Sequence, residues 1–363
     1  MIAEGKDVIN AGIGNPDLSP PDGVNDVLFK ALQDKNAHGY QSYLGLLELR
    51  EAMADFYRLH YGVLANPDSE FIPLMGSKEG IIHISMAFLN AGDKVLIPDP
   101  AYPAYSSATR LCEATPVYYD LKPENNWLPD LEELEQKDLS DVKIMWINYP
   151  NMPTAAPASL KALQAVVEFA KRHHILLIND NPYSCVGYRD KTSIFQIKGA
   201  KQTALELNSL SKTFNMAGWR VGMLCGSADY LKEILKVKTN MDSGMFYAVQ
   251  KGAIAALKTP AAWLQRQNEI YATRRKQMIE IARDMGLEPD VQSGGLFLWC
   301  KIRGLDLDDK VFVDNLLKKY HIFIAPGSIF GKNGGGYVRL SLCVDSDQIA
   351  TMKERISKIP IHE

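Results

Sequence analysis

Short apolar runs alternate with longer amphipathic segments along this chain, a pattern that favours a mainly parallel sheet covered by helices. Four runs read as strands: Lys94 to Pro98, Val142 to Asn148, Ile175 to Asn179 and Val221 to Cys225. Glu79 to Leu89 and Leu160 to His173 read as helices, the second with Leu163, Val166, Val167, Phe169 and Ala170 at helical spacing. Phe246 to Met285 is long, charged and interrupted only by Gly252 and Pro260, which predicts one or two helices leaving a first domain. The remainder alternates differently. Gly295 to Ile302 is apolar, Val311 to Tyr320 helical, His321 to Ala325 and Tyr337 to Leu342 strand-like, and Ser346 to Ile359 helical. The expected fold is α/β: a large domain over residues 36–250, and a small α+β domain from residues 1–35 and 251–363.

In open parallel sheets ligands bind beyond the carboxyl ends of the strands. Polar residues recur at those ends here: Asp99 and Tyr102 after the first strand, Asn148 and Asn151 after the second, Asp180 and Tyr183 after the third.

Composition narrows the classes. The 363 residues are 46% apolar, enough for a sizeable core. A net charge of −3 implies no basic face and no nucleic-acid partner. No run reaches the ~18 apolar residues of a membrane span, and Met1 to Asp7 contains no apolar secretory core. Cys112, Cys185, Cys225, Cys300 and Cys343 lack metal spacing and read as reduced thiols of a cytoplasmic protein, with no metal site expected. Lys236 and Lys238 read as a solvated helix face.

The chemistry concentrates in Ser209-Leu210-Ser211-Lys212-Thr213-Phe214-Asn215-Met216-Ala217-Gly218-Trp219-Arg220-Val221-Gly222. Hydroxyl residues precede Lys212, and an arginine and two glycines follow, a grouping that suits a lysine imine beside a bound phosphate. Ser209 and Arg220 are the hydroxyl and bidentate donors to that phosphate, although an arginine here also fits a surface ion pair. Gly76-Ser77-Lys78-Glu79-Gly80 opens a helix whose free N–H groups suit an anion, or is a plain turn with Ser77 as N-cap. Asp180 closes an apolar strand and either caps the next turn or holds a cationic ring nitrogen. Tyr102 offers a stacking face or a packed turn tyrosine. Arg339 is a charge inside an apolar strand, costly unless paired, and so marks a structural ion pair or an anion site.

These segments, in this order from Gly12 to Leu342, resemble the pyridoxal-phosphate enzymes of fold-type I, specifically the class I/II aminotransferases. The nearest look is to bacterial aspartate, alanine and diaminopimelate types, carried by Gly76-Ser77-Lys78-Glu79-Gly80 and Asp242-Ser243-Gly244-Met245-Phe246. The resemblance implies a ping-pong aminotransferase that moves the amino group of an L-amino acid to a 2-oxo acid through pyridoxal 5'-phosphate held as a Schiff base on Lys212. It implies cofactor contacts from Ser77, Lys78, Tyr102, Asn151, Asp180, Tyr183, Ser209 and Arg220, and from Tyr40 reaching a neighbouring subunit. Locally Tyr40 also reads as the start of a helix running through Leu49-Arg50-Glu51. Substrate contacts fall to Arg339, and to Gly14 in Gly12-Ile13-Gly14-Asn15-Pro16-Asp17. A homodimer follows by the same resemblance.

Two departures stand out. The family has Asn-Pro-Thr-Gly after the second strand, and here Tyr149-Pro150-Asn151-Met152-Pro153-Thr154-Ala155 places Met152 and Ala155 at the asparagine and glycine positions. A thioether cannot donate a hydrogen bond, so the cofactor's phenolic oxygen is expected to be less stabilised, the imine to hold its proton to higher pH, and Asn151 to reach in and compensate. The chain also begins almost at Gly12-x-Gly14, so the arm that relatives carry there is absent or the start lies upstream; a more exposed site and a weaker interface are expected. An alternative on the same fold is a C–S lyase or other β-eliminating enzyme. A non-catalytic amino-acid sensor would need a DNA-binding segment for which the chain has no spare length.

Overall fold

The computed structural model describes residues 1–304 and 308–357. Seven strands form the principal sheet: β1 (Phe71–Leu74), β2 (Lys94–Asp99), β3 (Thr115–Asp120), β4 (Val142–Ile147), β5 (Leu176–Asp180), β6 (Ala204–Ser209) and β7 (Gly222–Cys225). Their order is β1-β7-β6-β5-β4-β2-β3. Neighbours from β6 through β3 run parallel, and β7 alone runs antiparallel to both its neighbours. The predicted strands fall within one residue of these bounds. β1, β3 and β6 were not predicted.

β5 and β6 are buried along their whole length, as strands covered on both faces must be. Apolar side chains therefore dominate them, and the exceptions must be satisfied by hydrogen bonds. Glu206 in β6 is such an exception. Its carboxylate accepts from Ser193 Oγ (2.8 Å), the Ile194 backbone N–H (2.9 Å) and Asn179 Nδ2 (2.9 Å).

Helices α1 (Leu47–Tyr61), α2 (Ser77–Phe88) and α3 (Leu160–Arg172) pack against this sheet. Tyr40 precedes α1 in an irregular segment rather than opening a helix. The long charged stretch is two helices, α4 (Tyr247–Leu257) and α5 (Ala261–Asp284), broken at Pro260, which has no N–H to continue α4 and sits at the N-cap of α5. Lys238 is buried rather than solvated, because it pairs with Asp242.

A second, four-stranded antiparallel sheet follows: β8 (Leu287–Pro289), β9 (Phe297–Ile302), β10 (Ala325–Pro326) and β11 (Tyr337–Ser341), in the order β10-β11-β9-β8. Helix α6 (Asp309–Tyr320) and the final α7 (Ser346–Ile356) cover it; the last residues of the predicted terminal helix, 358–359, lie outside the described residues. Ile9–Asn10 pairs in parallel with Ile322–Phe323, so the chain's beginning joins its last third. Among the described residues no helix is long and apolar enough to cross a membrane, and no cluster of side chains suits a metal.

Candidate active site

The carboxyl ends of β4, β5 and β6 open into a cavity of about 410 Å³ that the second sheet closes from the other side. It gathers Gly14, Ser77, Lys78, Tyr102, Asp180, Tyr183, Ser209, Lys212, Arg220 and Arg339 from segments far apart in the sequence. Tyr40 and Asn151 do not line it.

Lys212 sits on a single helical turn, Leu210–Thr213, directly after β6. Ser209 caps that turn through Oγ, which accepts the Ser211 N–H at 3.1 Å. Lys212 Nζ donates to the Gly14 carbonyl at 2.5 Å. Burial lowers its pKa, and the positive charges of Arg339 and Arg220 push the same way, against the Cys343 thiol. A lysine so placed is more readily neutral, and therefore nucleophilic, than a solvated one.

Asp180 ends β5 and is 5% exposed. Oδ2 accepts from Tyr105 O–H at 2.8 Å, and Asn148 donates to the Asp180 carbonyl. Oδ1 has no partner. Burial pushes the carboxyl up to about 6, with the Tyr105 hydrogen bond opposing and Glu206 adding to the rise. A buried carboxylate oxygen without a donor, facing a cavity, is the fit expected for a protonated ring nitrogen.

The opposite wall is an anion cradle. β1 ends before Gly76, whose φ of 87° only glycine adopts freely, and α2 then begins with Ser77. A side chain on Gly76 would run into Nη2 of Arg220. Arg220, itself at φ 58°, donates Nη1 to the Ala217 carbonyl at 2.8 Å and so turns its fork beside the helix N-terminus. It is exposed. Lys78 Nζ lies 5.8 Å from the centre of the Tyr102 ring.

At the far end, Arg339 is 8% exposed and held between two rings, 4.0 Å from the centre of Phe297 and 4.6 Å from that of Phe330. Nη2 donates to the Gly12 carbonyl at 2.8 Å, Nη1 meets Met152 Sδ at 3.2 Å, and Nε is unpartnered. Burial lowers its pKa to about 10. Among the described residues no carboxylate pairs with it, which removes the structural ion pair that the sequence left open. A side chain on Gly14 would strike the Phe297 ring, so that close packing requires glycine.

The loop after β4 corrects one expectation. Asn151 turns inward: Oδ1 accepts from Thr154 N (3.2 Å) and Oγ1 (2.8 Å), and Nδ2 is buried without a partner. Its amide is not part of the cavity lining. Asn148 lines the cavity instead and accepts the Met152 N–H at 2.7 Å. Ala155 holds φ 59°, a left-handed conformation that favours glycine. Asp99 is also drawn elsewhere, to the N–H groups of Lys332 and Asn333. Tyr40 is 94% exposed. No signal in the sequence marked Tyr105, Phe297 or Phe330, whereas Asn148 was legible at its strand's carboxyl end, although the cofactor contact was expected from Asn151.

Pyridoxal phosphate fits this set: an orphaned carboxylate oxygen, a half-buried lysine, a cradle for a phosphate and a separate buried guanidinium share one cavity. The sequence profile described as "Aminotransferase class I and II" matches residues 6–356. A protein named LL-diaminopimelate aminotransferase from Aquifex aeolicus (strain VF5) is 41% identical over 99% of this chain and 93% of its own. A solved structure of substrate-bound BacF from Bacillus subtilis superposes with a TM-score of 0.94 at 33% identity, covering 98% of this chain and 91% of that one. Thermus thermophilus aspartate aminotransferase with maleate gives a TM-score of 0.91 at 26% identity, covering 98% and 93%.

Proposed function

The chain belongs to the class I and II aminotransferases and is a pyridoxal-phosphate-dependent transaminase, and we propose that the residues gathered around Lys212 carry that reaction. The lyase alternative is not favoured, since the relatives compared at about 40% identity are named aminotransferases.

When bound, the cofactor supplies a cationic ring that withdraws electrons from the substrate Cα and so acidifies its Cα–H bond. Lys212 would hold the cofactor and, once released, would take the proton from the donor's Cα through Nζ in one half-reaction and deliver one to the acceptor's Cα in the other. Its depressed pKa favours the neutral amine this needs. Asp180 Oδ1 keeps the proton on the ring nitrogen. Tyr102 would offer the ring a stacking face, and Tyr183 and Asn148 would supply donors to its phenolic oxygen. Ser77, Lys78, Ser209 and Arg220 hold the phosphate. Arg339 grips the α-carboxylate beside the Gly12–Gly14 segment, fixing the Cα–H bond relative to the ring plane. Residues 36–250 form the cofactor domain and the rest the small domain. Tyr40 completes the site of a second copy in a cytoplasmic homodimer. LL-diaminopimelate, glutamate and 2-oxoglutarate are the first substrates to offer.

The observation that supports this reading best is the charge balance of the cavity. Lys78, Lys212, Arg220 and Arg339 line it with Asp180 as the one carboxylate among the described residues, so it suits two anions at opposite ends. The test is an absorbance spectrum of the purified protein with pyridoxal phosphate, before and after a panel of amino acids without acceptor. A long-wavelength band that a donor removes, and that Lys212→Ala lacks, is expected. Absence of the band in the parent protein refutes the assignment of Lys212.

A further inference from the structure

We propose that Trp127 is a positioning residue for Arg339, holding the carboxylate-binding guanidinium in register with the cofactor half of the cavity through the rings that share its face of the second sheet. The inference rests on the reading of Arg339 as the α-carboxylate holder.

Trp127 belongs to the loop after β3, and its ring leaves that loop to pack on the other sheet. It meets Trp299 edge-on at 6.2 Å and Tyr337 at 5.4 Å, while Trp299 and Tyr337 stack at 5.2 Å and 6°. Trp299 and Arg339 are direct cross-strand partners in β9 and β11, so their side chains share one face of the sheet. Phe330 closes the chain of contacts. It touches Trp299 at 6.3 Å and stacks on the guanidinium at 4.6 Å. Four packed rings thus run from the principal sheet to Arg339 without a gap.

Two further observations set Trp127 apart from ordinary packing. Asn126 and Trp127 both hold left-handed backbone, at φ 51° and 58°, a conformation that a bulky residue keeps only when its surroundings enforce it. The Trp127 carbonyl accepts the Tyr149 hydroxyl at 2.6 Å, and Tyr149 follows Asn148 in the loop that carries Met152 against Arg339. The same residue therefore ties both neighbours of the guanidinium, the ring stack on one side and the thioether loop on the other. Among the described residues Arg339 has no carboxylate to fix it. Its direction comes from these neutral contacts, and small displacements of a clamp of this kind cost substantial rate.

The experiment uses the cofactor-loaded enzyme and measures 2-oxoglutarate affinity calorimetrically, together with KM, kcat and the cofactor absorbance. Trp127→Leu keeps much of the volume but no ring edge; Trp127→Phe keeps an edge. Trp127→Leu is expected to weaken carboxylate binding about tenfold with an unchanged absorbance band, and Trp127→Phe to restore it to within about threefold. In an Arg339→Met background Trp127→Leu should weaken binding no further, a non-additivity that a loss of general stability would not produce. Tyr337→Leu, on the same path, provides a second variant if Trp127→Leu fails to fold. An equal loss in both backgrounds, or no loss from either Trp127→Leu or Tyr337→Leu, overturns the proposal. If Arg339→Met itself leaves affinity unchanged, it is the reading of Arg339 that fails.

Discussion

Replacing Arg339 by methionine separates function from stability in a way that few buried charges allow. An arginine locked in a structural ion pair leaves an uncompensated partner when removed, at a loss of about 3–5 kcal/mol. Arg339 leaves none. Its pKa, lowered to about 10 by burial, means that the folded protein disfavours the charged form by roughly 3 kcal/mol. Because the folded value lies below the unfolded one, this penalty is complete at neutral pH and fades as pH rises through about 10. Against it stand one hydrogen bond to Gly12 and two ring contacts, each about 1 kcal/mol. The terms nearly cancel, so Arg339→Met is expected to melt within a few degrees of the parent. Activity should behave oppositely. Two charge-assisted hydrogen bonds to a substrate carboxylate contribute about 1.5–3 kcal/mol each, so kcat/KM should fall roughly 10²- to 10⁴-fold. Scanning calorimetry of the ligand-free enzyme and steady-state kinetics check both. A stability loss near 4 kcal/mol with kcat/KM changed less than about tenfold would refute the assignment.

Asp180 makes a pH prediction for the cofactor-free protein. Its folded pKa of about 6 lies above the usual 3.8, so its destabilising effect is present above pH 6 and vanishes toward pH 4. Asp180→Asn should melt higher than the parent at pH 7.5, with the gap closing by pH 4; a constant gap would count against a buried, cavity-facing carboxylate. Met152→Asn introduces a donor beside the cofactor's phenolic oxygen and should lower the pH midpoint of the bound cofactor's absorbance change; an unchanged midpoint would sink that idea. Gly76→Ala places a methyl group against Arg220 Nη2 and should weaken cofactor binding at least tenfold in a fluorescence titration, since the fork loses its place beside α2. Retained affinity would mean that Arg220 is not a phosphate contact.

What the sequence disclosed and what it hid have different physical origins. Strands covered on both faces by apolar side chains, such as β2, β4 and β5, announced themselves. β6 did not, because Glu206 and Asn208 interrupt its apolar run, and nothing in a linear pattern tells that Ser193, Ile194 and Asn179 will satisfy Glu206. β3 did not, because it is the edge of the sheet and half of it is wet. Lys212, Asp180, Arg220 and Arg339 were legible from their settings: charges beside glycines or closing apolar strands. The choice between Asn148 and Asn151 was not, since it depends on how the turn after β4 folds Asn151 back onto Thr154. Tyr40 faces solvent in a single chain, and its setting within one subunit gives it no partner to read.

The same distinction explains why Met152 and Ala155 can sit where the family keeps asparagine and glycine. Ala155 holds a left-handed backbone, at a strain of about 1–2 kcal/mol, and the loop is held because Ala155 N donates to the Asn151 carbonyl and the Asn151 N–H to the Ala156 carbonyl, both at 2.8 Å. The loop's shape is therefore set by backbone pairing and by Asn148, not by the side chains at the two altered positions. Met152 in turn meets Arg339 through a polarisable, uncharged sulfur. A thioether competes weakly with an incoming carboxylate for the guanidinium, where a stronger acceptor would have to be displaced. What the substitution removes is a donor on the cofactor side; the anion-binding end of the cavity keeps its positive charge and its ring-lined walls.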